Sequence, residues 1–296
     1  MVEIVRVGDV VAELGECPVW SASEQKLYWE DIEGQRIHCT DPVSGDTVSR
    51  EVPGRPGSFV FTKTPGRLLV ALETNLVWLD WETGAVEHFV SVEEETSVNR
   101  LNDGRCDHAG RYIVGTMHPV PAEMQSTGSL YSISPDGRVD VLETDVGIPN
   151  NTVFDPDRNR MYWADTPHGK IWQWDYDLQT GQRSNKTLFY DYKAASAVSG
   201  LPDGACLDAE GFLWSASVTG WAVTRFTPDG QVDRRIDLPV SMPTMPAFGG
   251  PDLTTLYVTS LQGGMVDERR SKGVPAGALL ALDAGVAGLP EPTFGS

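Results

Sequence analysis

Basic residues are scarce in this chain: 23 Lys and Arg stand against 42 Asp and Glu, a formal net charge of −19. Phosphate backbones are held by Lys and Arg that neutralise them, so this balance excludes a nucleic-acid partner. Long apolar runs are missing as well, and no window approaches the roughly eighteen consecutive apolar residues of a membrane-spanning helix. The opening stretch MVEIVRVGDVVAELGE carries acids and no sustained apolar core. No signal peptide is therefore expected, and the cytoplasm is the expected location. Cysteine is sparse: Cys17, Cys39, Cys106 and Cys206 are too far apart for a CxxC pair or a thiolate metal site. Disulfide frameworks belong to short, Cys-dense secreted chains, so these thiols are expected to be reduced. A helical period is absent too. No segment keeps an apolar 3.6-residue repeat over three turns, which excludes a helical fold.

What the chain does hold is 40% apolar residues with nine Trp, enough for a sizeable core, together with an internal repeat. The strand-like runs KLYWED (26–31), RLLVAL (67–72), RYIVGT (111–116), RMYWAD (160–165), FLWSAS (212–217) and TLYVTS (255–260) recur every 41–52 residues. A second strand follows each of them (RIHCTD, LVWLDW, SLYSIS, IWQWDY, AVTRFT and ALLALD), and then turn sequences such as SPDGR, DLQTGQ and TPDGQ. Asp-Gly and Thr-Gly between alternating apolar runs signal hairpins. A period of this length with about four strands per unit is the signature of a β-propeller. The expectation is an all-β fold: a six-bladed β-propeller with four-stranded blades, one domain over residues 1–296. The N-terminal strand, about Glu3 to Ala12, is expected to pair in the last blade and close the ring, removing a free sheet edge.

The loops feeding the innermost strands read GECPVW, PGSFVF, RLNDGRCD, IPNNTVFD, LPDGACLD and MPAFGG. In four of them a polar residue, Glu16, Asn102, Asn150 or Asp203, precedes the next strand by 11, 10, 11 and 10 residues. Residues at one phase of successive blades point toward one end of a shared axis, so two carboxylates and two amides are expected to form an oxygen-rich cage. Burying an acid such as Glu16 is expensive unless its charge meets a partner or a metal. Carboxylate and amide oxygens suit a hard divalent cation such as calcium, magnesium or manganese, with zinc and ferrous iron also open. Singly, each of these residues equally suits a strand cap or a buried water; four at one phase point to a site. Arg100 and Asp103 lie beside the cage, and an Arg presents paired planar donors to hydroxyl or carboxylate oxygens. His118 stands where a strand gives way to the turn-rich loop HPVPAEMQSTG, which makes it a candidate for substrate contact.

GECPVW, NRLNDGRCDHAGRYIVGTM, DYDLQTGQRSN, LPDGACLDAEGFLW and FGGPDLTTLYVTS together resemble the senescence marker protein/regucalcin/gluconolactonase family, from about residue 13 to 275. The resemblance implies a six-bladed propeller that hydrolyses sugar lactones with one divalent metal in its central channel. Carried over residue by residue, it places the metal on Glu16, Asn150 and Asp203, and the substrate on Arg100, Asn102 and Asp103. Asn102 thereby moves from the cage to the substrate side. Where many relatives carry Asn-Gly, this chain has Asn150-Asn151, which leaves a one-residue slip open. His118-Pro119-Val120 replaces acids found in the animal members and is similar to bacterial pentonolactone or related aldonolactone hydrolases.

The implied reaction is hydrolysis of an aldonolactone (xylono-, arabinono-, galactono- or gluconolactone) to the aldonic acid. Its cofactor is one divalent cation (Ca, Zn, Mg, Mn or Fe(II)), and Asp203 doubles as the catalytic base. The expected partner is a small-molecule sugar lactone, with no nucleic acid and no membrane, and the protein is expected as a monomer or weak homo-oligomer. Three alternatives accompany this reading. They are a non-catalytic binding propeller, suggested by the Tyr-Trp-x-Asp form of KLYWED and RMYWAD, a calcium-binding protein, and an esterase or organophosphate hydrolase on the same scaffold.

Overall fold

A computed structural model describes residues 2–94, 97–120, 125–195, 197–262 and 271–295. The first strand, β1 (Ile4–Val11), precedes a blade made of β2 (Gly15–Ser21), β3 (Lys26–Asp31), β4 (Arg36–Thr40) and β5 (Thr47–Glu51). The second blade is β6 (Pro56–Phe61), β7 (Arg67–Leu72), β8 (Asn75–Asp80) and β9 (Val86–Ser91). The third is β10 (Arg100–Cys106), β11 (Tyr112–Met117), β12 (Gly128–Ile133) and β13 (Val139–Val146). The fourth is β14 (Pro149–Asp155), β15 (Arg160–Asp165), β16 (Lys170–Tyr176) and β17 (Arg183–Asp191). The fifth is β18 (Leu201–Leu207), β19 (Leu213–Val218), β20 (Ala222–Phe226) and β21 (Val232–Asp237). The sixth contains β22 (Pro243–Gly249), β23 (Thr255–Ser260) and β24 (Ala278–Asp283), and its outer edge is β1.

Among the described residues these strands form six four-stranded antiparallel sheets, a six-bladed β-propeller. β1 pairs with β24 in the register Ile4↔Leu282, so the N-terminal strand closes the ring as its position in the sequence predicts. The first strands touch in cyclic order, β2 to β6, β10, β14, β18, β22 and back to β2, and so line the axis. Burial falls outward: β10, β14 and β22 are buried at every position, whereas β5, β9 and β21 are largely solvated.

Two-residue alternation fills the seams between blades. In β7, Leu68 and Val70 pack toward the first blade while Leu69 and Ala71 pack toward the third. Six apolar clusters among the described residues occupy the six seams, and the one uniting Val7, Trp20, Trp29 and Tyr257 joins the last blade to the first. The four cysteines are buried and free, as expected of reduced thiols.

After β24 the chain runs across the end of the propeller where the innermost strands finish. Gly288 donates to the Leu253 carbonyl at 2.8 Å, Phe294 to the Phe61 carbonyl at 2.9 Å, and Gly295 to the Gly110 carbonyl at 3.0 Å. Glu291 in this strap meets Arg105 of β10 at 2.7 Å, with both side chains mostly buried.

Candidate active site

A bulge interrupts the pairing of each innermost strand near its start. The ladder breaks after Glu16, Leu101, Asn150, Pro202 and Pro243 and resumes three residues later; in β6 it breaks between Pro56 and Ser58. Bulges re-aim side chains, and a ring of them around one end of the channel turns polar groups inward. This register refines the four-residue phase read from the sequence. Glu16 and Asn150 are the last paired residues before the bulge, whereas Asn102 and Asp203 are the first residues inside it. The four residues therefore occupy two successive positions rather than one, since Asn102 and Asp203 stand one residue further into the same three-residue step than Glu16 and Asn150.

The structure brings these positions to the same mouth. Asn102 Nδ2 donates to the Pro149 carbonyl at 3.0 Å and approaches Asn150 Oδ1 at 3.5 Å. Asn150 Nδ2 donates to Thr166 Oγ1 at 2.9 Å, and Thr166 Oγ1 donates to the Pro202 carbonyl at 2.7 Å, beside Asp203. A polar arc thus crosses three blades. Thr166 begins a single 3₁₀ turn, Thr166–His168, that follows β15. Asn151 faces elsewhere: its Nδ2 donates to the Asp203 carbonyl and to Ser215 Oγ, the latter at 3.0 Å.

Glu16 and Asp203 are each partly exposed, with protein enclosing most of the side chain. Burial pushes the Glu16 carboxyl well above the usual carboxylate range, and the charges of Asp203 and Asp103 push it further. The Cys17 N–H, donating to Glu16 Oε2 at 3.1 Å, opposes that rise. Asp203 is raised well by burial and then by Asp103, and the Gly204 N–H opposes the rise. Asp103 is raised by burial, against the Thr152 N–H bond at 3.0 Å and the charge of Arg105. Neither Glu16 nor Asp203 has an ion-pair partner among the described residues.

These residues fit a hard cation. Two carboxylates raised by burial and by neighbouring acids, with an amide oxygen whose nitrogen is committed to Thr166, form an all-oxygen donor set that lacks positive charge. Among the described residues no three His, Cys, Asp or Glu side chains converge on a metal position, so any such set needs the amide of Asn150.

Arg100 is buried, and Nη1 donates to the Leu101 carbonyl and to Asn102 Oδ1, both at 2.9 Å. Burial and then the neighbouring Arg55 lower its pKa to about 10, so it stays cationic at neutral pH. His118 follows β11 and hydrogen-bonds within its own turn, Nδ1 to the Val120 backbone at 3.3 Å. Residues 121–124 of the loop that it opens lie outside the described set.

Glu30 escaped the sequence reading. It is the ladder partner of Glu16, is fully buried, and neither carboxylate oxygen has a hydrogen-bond partner among the described residues. Burial raises its pKa and the charge of Arg100 opposes that shift. The signal was an acid inside KLYWED, at a position that alternation makes inward-facing. Gly57 was also missed: Leu101 and Asn102 pass so close that a Cβ there would collide with their backbone.

The profile described as the SMP-30/Gluconolactonase/LRE-like region matches residues 14–262. A 6-deoxy-6-sulfogluconolactonase from Pseudomonas putida is 37% identical over 95% of this chain and 94% of its own length. Pentonolactonase XacC from Haloferax volcanii is 37% identical over 97% of each. The crystal structure of a calcium-binding protein, regucalcin, from Agrobacterium tumefaciens superposes with a TM-score of 0.88 at 29% identity, covering 98% of this chain and 96% of that one.

Proposed function

The chain belongs to the SMP-30/gluconolactonase/LRE-like family, and from that footing we propose that it hydrolyses a sugar lactone to the open aldonic acid with one divalent cation. The observation that carries this reading is the pair Glu16 and Asp203: two enclosed carboxylates raised first by burial and then by neighbouring acids (Asp203 and Asp103 on Glu16, Asp103 on Asp203), with no ion-pair partner among the described residues. Glu16, Asn150 and Asp203 would hold the cation, which supplies Lewis-acid polarisation of the lactone carbonyl when bound. Asp203 takes the proton of the water that attacks that carbonyl. The acyl carbon–ring oxygen bond breaks, and the ring oxygen leaves as a hydroxyl after accepting a proton. Arg100 and Asn102, joined by their 2.9 Å bond, hold sugar hydroxyls and fix the ring against the base. Asp103 and His118 complete the substrate side. Of the relatives, one is named for a sulfonated gluconolactone and one for pentonolactones, which supports an aldonolactone as the substrate class.

The test is a pH-stat screen of gluconolactone, xylonolactone, arabinonolactone and galactonolactone, using chelated protein reconstituted with one metal at a time. Asp203→Asn is expected to lose most turnover while staying folded. Full activity in that variant would refute the assignment, and tight metal binding with no acid released from any lactone would refute the reaction.

A further inference from the structure

Glu93 lies seven residues before Arg100, among three consecutive acids that carry no motif. Its carboxylate is nevertheless the meeting point of four side chains. Oε1 accepts from Thr116 Oγ1 at 2.5 Å and from Tyr131 OH at 3.0 Å. Oε2 accepts from Asn99 Nδ2 at 3.1 Å and from the Ser97 hydroxyl. Thr116 belongs to β11 and Tyr131 to β12, whereas Ser97 and Asn99 lie in the irregular approach to β10. Asn99 also reaches the approach to β12, donating to the Thr127 carbonyl at 2.9 Å and accepting from Thr127 Oγ1 at 2.7 Å.

The consequence lies in what each arm carries. Asn99 is followed by Arg100, and Thr116 stands two residues ahead of His118, so both arms lead to residues assigned to the substrate. Ladder pairing begins only at Arg100↔Met117, so backbone bonds of the sheet leave Ser97–Asn99 unfixed. A carboxylate accepts and never donates, and all four partners present donors to it, a match that makes the junction charge-assisted throughout.

We propose that Glu93 is a positioning residue of the lactone site, holding the Arg100 and His118 segments at a fixed separation without touching substrate itself. This rests on the reading that Arg100 and His118 contact the lactone.

The variant Glu93→Gln separates the two arms. Its single carbonyl oxygen can still accept from Thr116 and Tyr131, but its amide NH₂ then opposes the NH₂ of Asn99. The expected result is a KM for the preferred lactone raised roughly tenfold, in the range seen when partners that orient binding groups are removed. We expect kcat within about twofold and metal affinity by calorimetry unchanged. Glu93→Ala, which loses both arms, raises KM further. Hydrogen exchange of backbone amides in 97–102 is expected to quicken in both variants.

Unchanged KM in both folded variants would overturn the proposal, as would kcat, metal affinity and melting temperature falling together as for general destabilisation. If the wild-type protein releases acid from no lactone, it is the functional reading that has failed. The exchange measurement then decides the tie on its own: unaltered exchange at 97–102 in Glu93→Ala would sink it.

Discussion

Asn150 and Asn151 are neighbours in the chain whose amides serve opposite sides of the innermost strand. Asn150 donates to Thr166 Oγ1 at 2.9 Å, which leaves its oxygen beside the Asn102 amide, whereas Asn151 donates to the Asp203 carbonyl and to Ser215 Oγ. The bulge makes the difference: Asn151 sits inside it with φ of 56°, a left-handed conformation that Asn tolerates better than most residues. Cys17, the residue after Glu16, has the same conformation with φ of 46°.

Asn150→Ala is expected to weaken metal binding by at least tenfold and to remove most lactone turnover, with little change in melting temperature. Asn151→Ala is expected to do the reverse. Losing the bonds to Asp203 and Ser215 costs about 1–3 kcal/mol of stability, and metal affinity falls only through the loosened Asp203 backbone. Calorimetric metal titration alongside thermal denaturation checks both. Equal loss of metal affinity in the two variants would defeat the distinction.

The pH dependence follows from the raised carboxyls of Glu16 and Asp203. Each binds its proton more tightly folded than unfolded. Over the window between the ordinary carboxylate range, near pH 4, and the raised folded values, the native state therefore holds more protons, and stability falls as pH rises. Chelated protein is expected to melt at progressively lower temperature as pH climbs out of that range. A divalent cation favours the ionised carboxylates, so its affinity should strengthen with pH and its binding should release protons. Glu16→Gln should raise the melting temperature of chelated protein at neutral pH while abolishing most turnover. A chelated protein whose stability grows from pH 4 to 7 would contradict this.

Gly57→Ala places a methyl against the backbone of Leu101 and Asn102, atoms with no flexible end to yield. Overpacking of this kind costs about 1–3 kcal/mol. Because the strand that must shift carries Arg100 and Asn102, KM is expected to rise as well. A wild-type KM in a destabilised Gly57→Ala protein would show that the mouth tolerates displacement of β10.

Glu291→Ala strips Arg105 of its buried counter-charge. Breaking one partner of a buried pair costs roughly 3–5 kcal/mol. Arg105 keeps its bond to the Ala205 carbonyl at 3.0 Å, which favours the low end of that range. Urea denaturation checks it, and a loss below about 1 kcal/mol would mean that the strap contributes little to holding the channel end shut.

The propeller was legible because its information is local and repeated. KLYWED, RLLVAL, RMYWAD and TLYVTS are β3, β7, β15 and β23 to the residue, each a run whose two faces must both be buried. Ring closure was legible too, since Glu3–Ala12 had strand character and no partner nearby in the chain. The site was legible only in part. Glu16, Asn102, Asn150 and Asp203 stood out as polar residues among apolar ones, but their division between the last paired position and the first residue of the bulge was not legible, since it shows only in the ladder register. Glu93 was hidden among its neighbouring acids, because its importance lies in donors that come from β11, β12 and the Ser97–Asn99 segment.

By itself the sequence determined the number of blades, the strand that seals the ring, and the kinds of donor available at the channel mouth. Periodicity, turn chemistry and side-chain identity are properties of the chain taken a few residues at a time. Only the tertiary structure decided which partners each amide meets, how the charges of Asp203 and Asp103 reach Glu16, and which carboxylate ties the two rim segments together. Those are relations between atoms tens of residues apart, set by how each bulge seats against the neighbouring blade, and no local pattern encodes them.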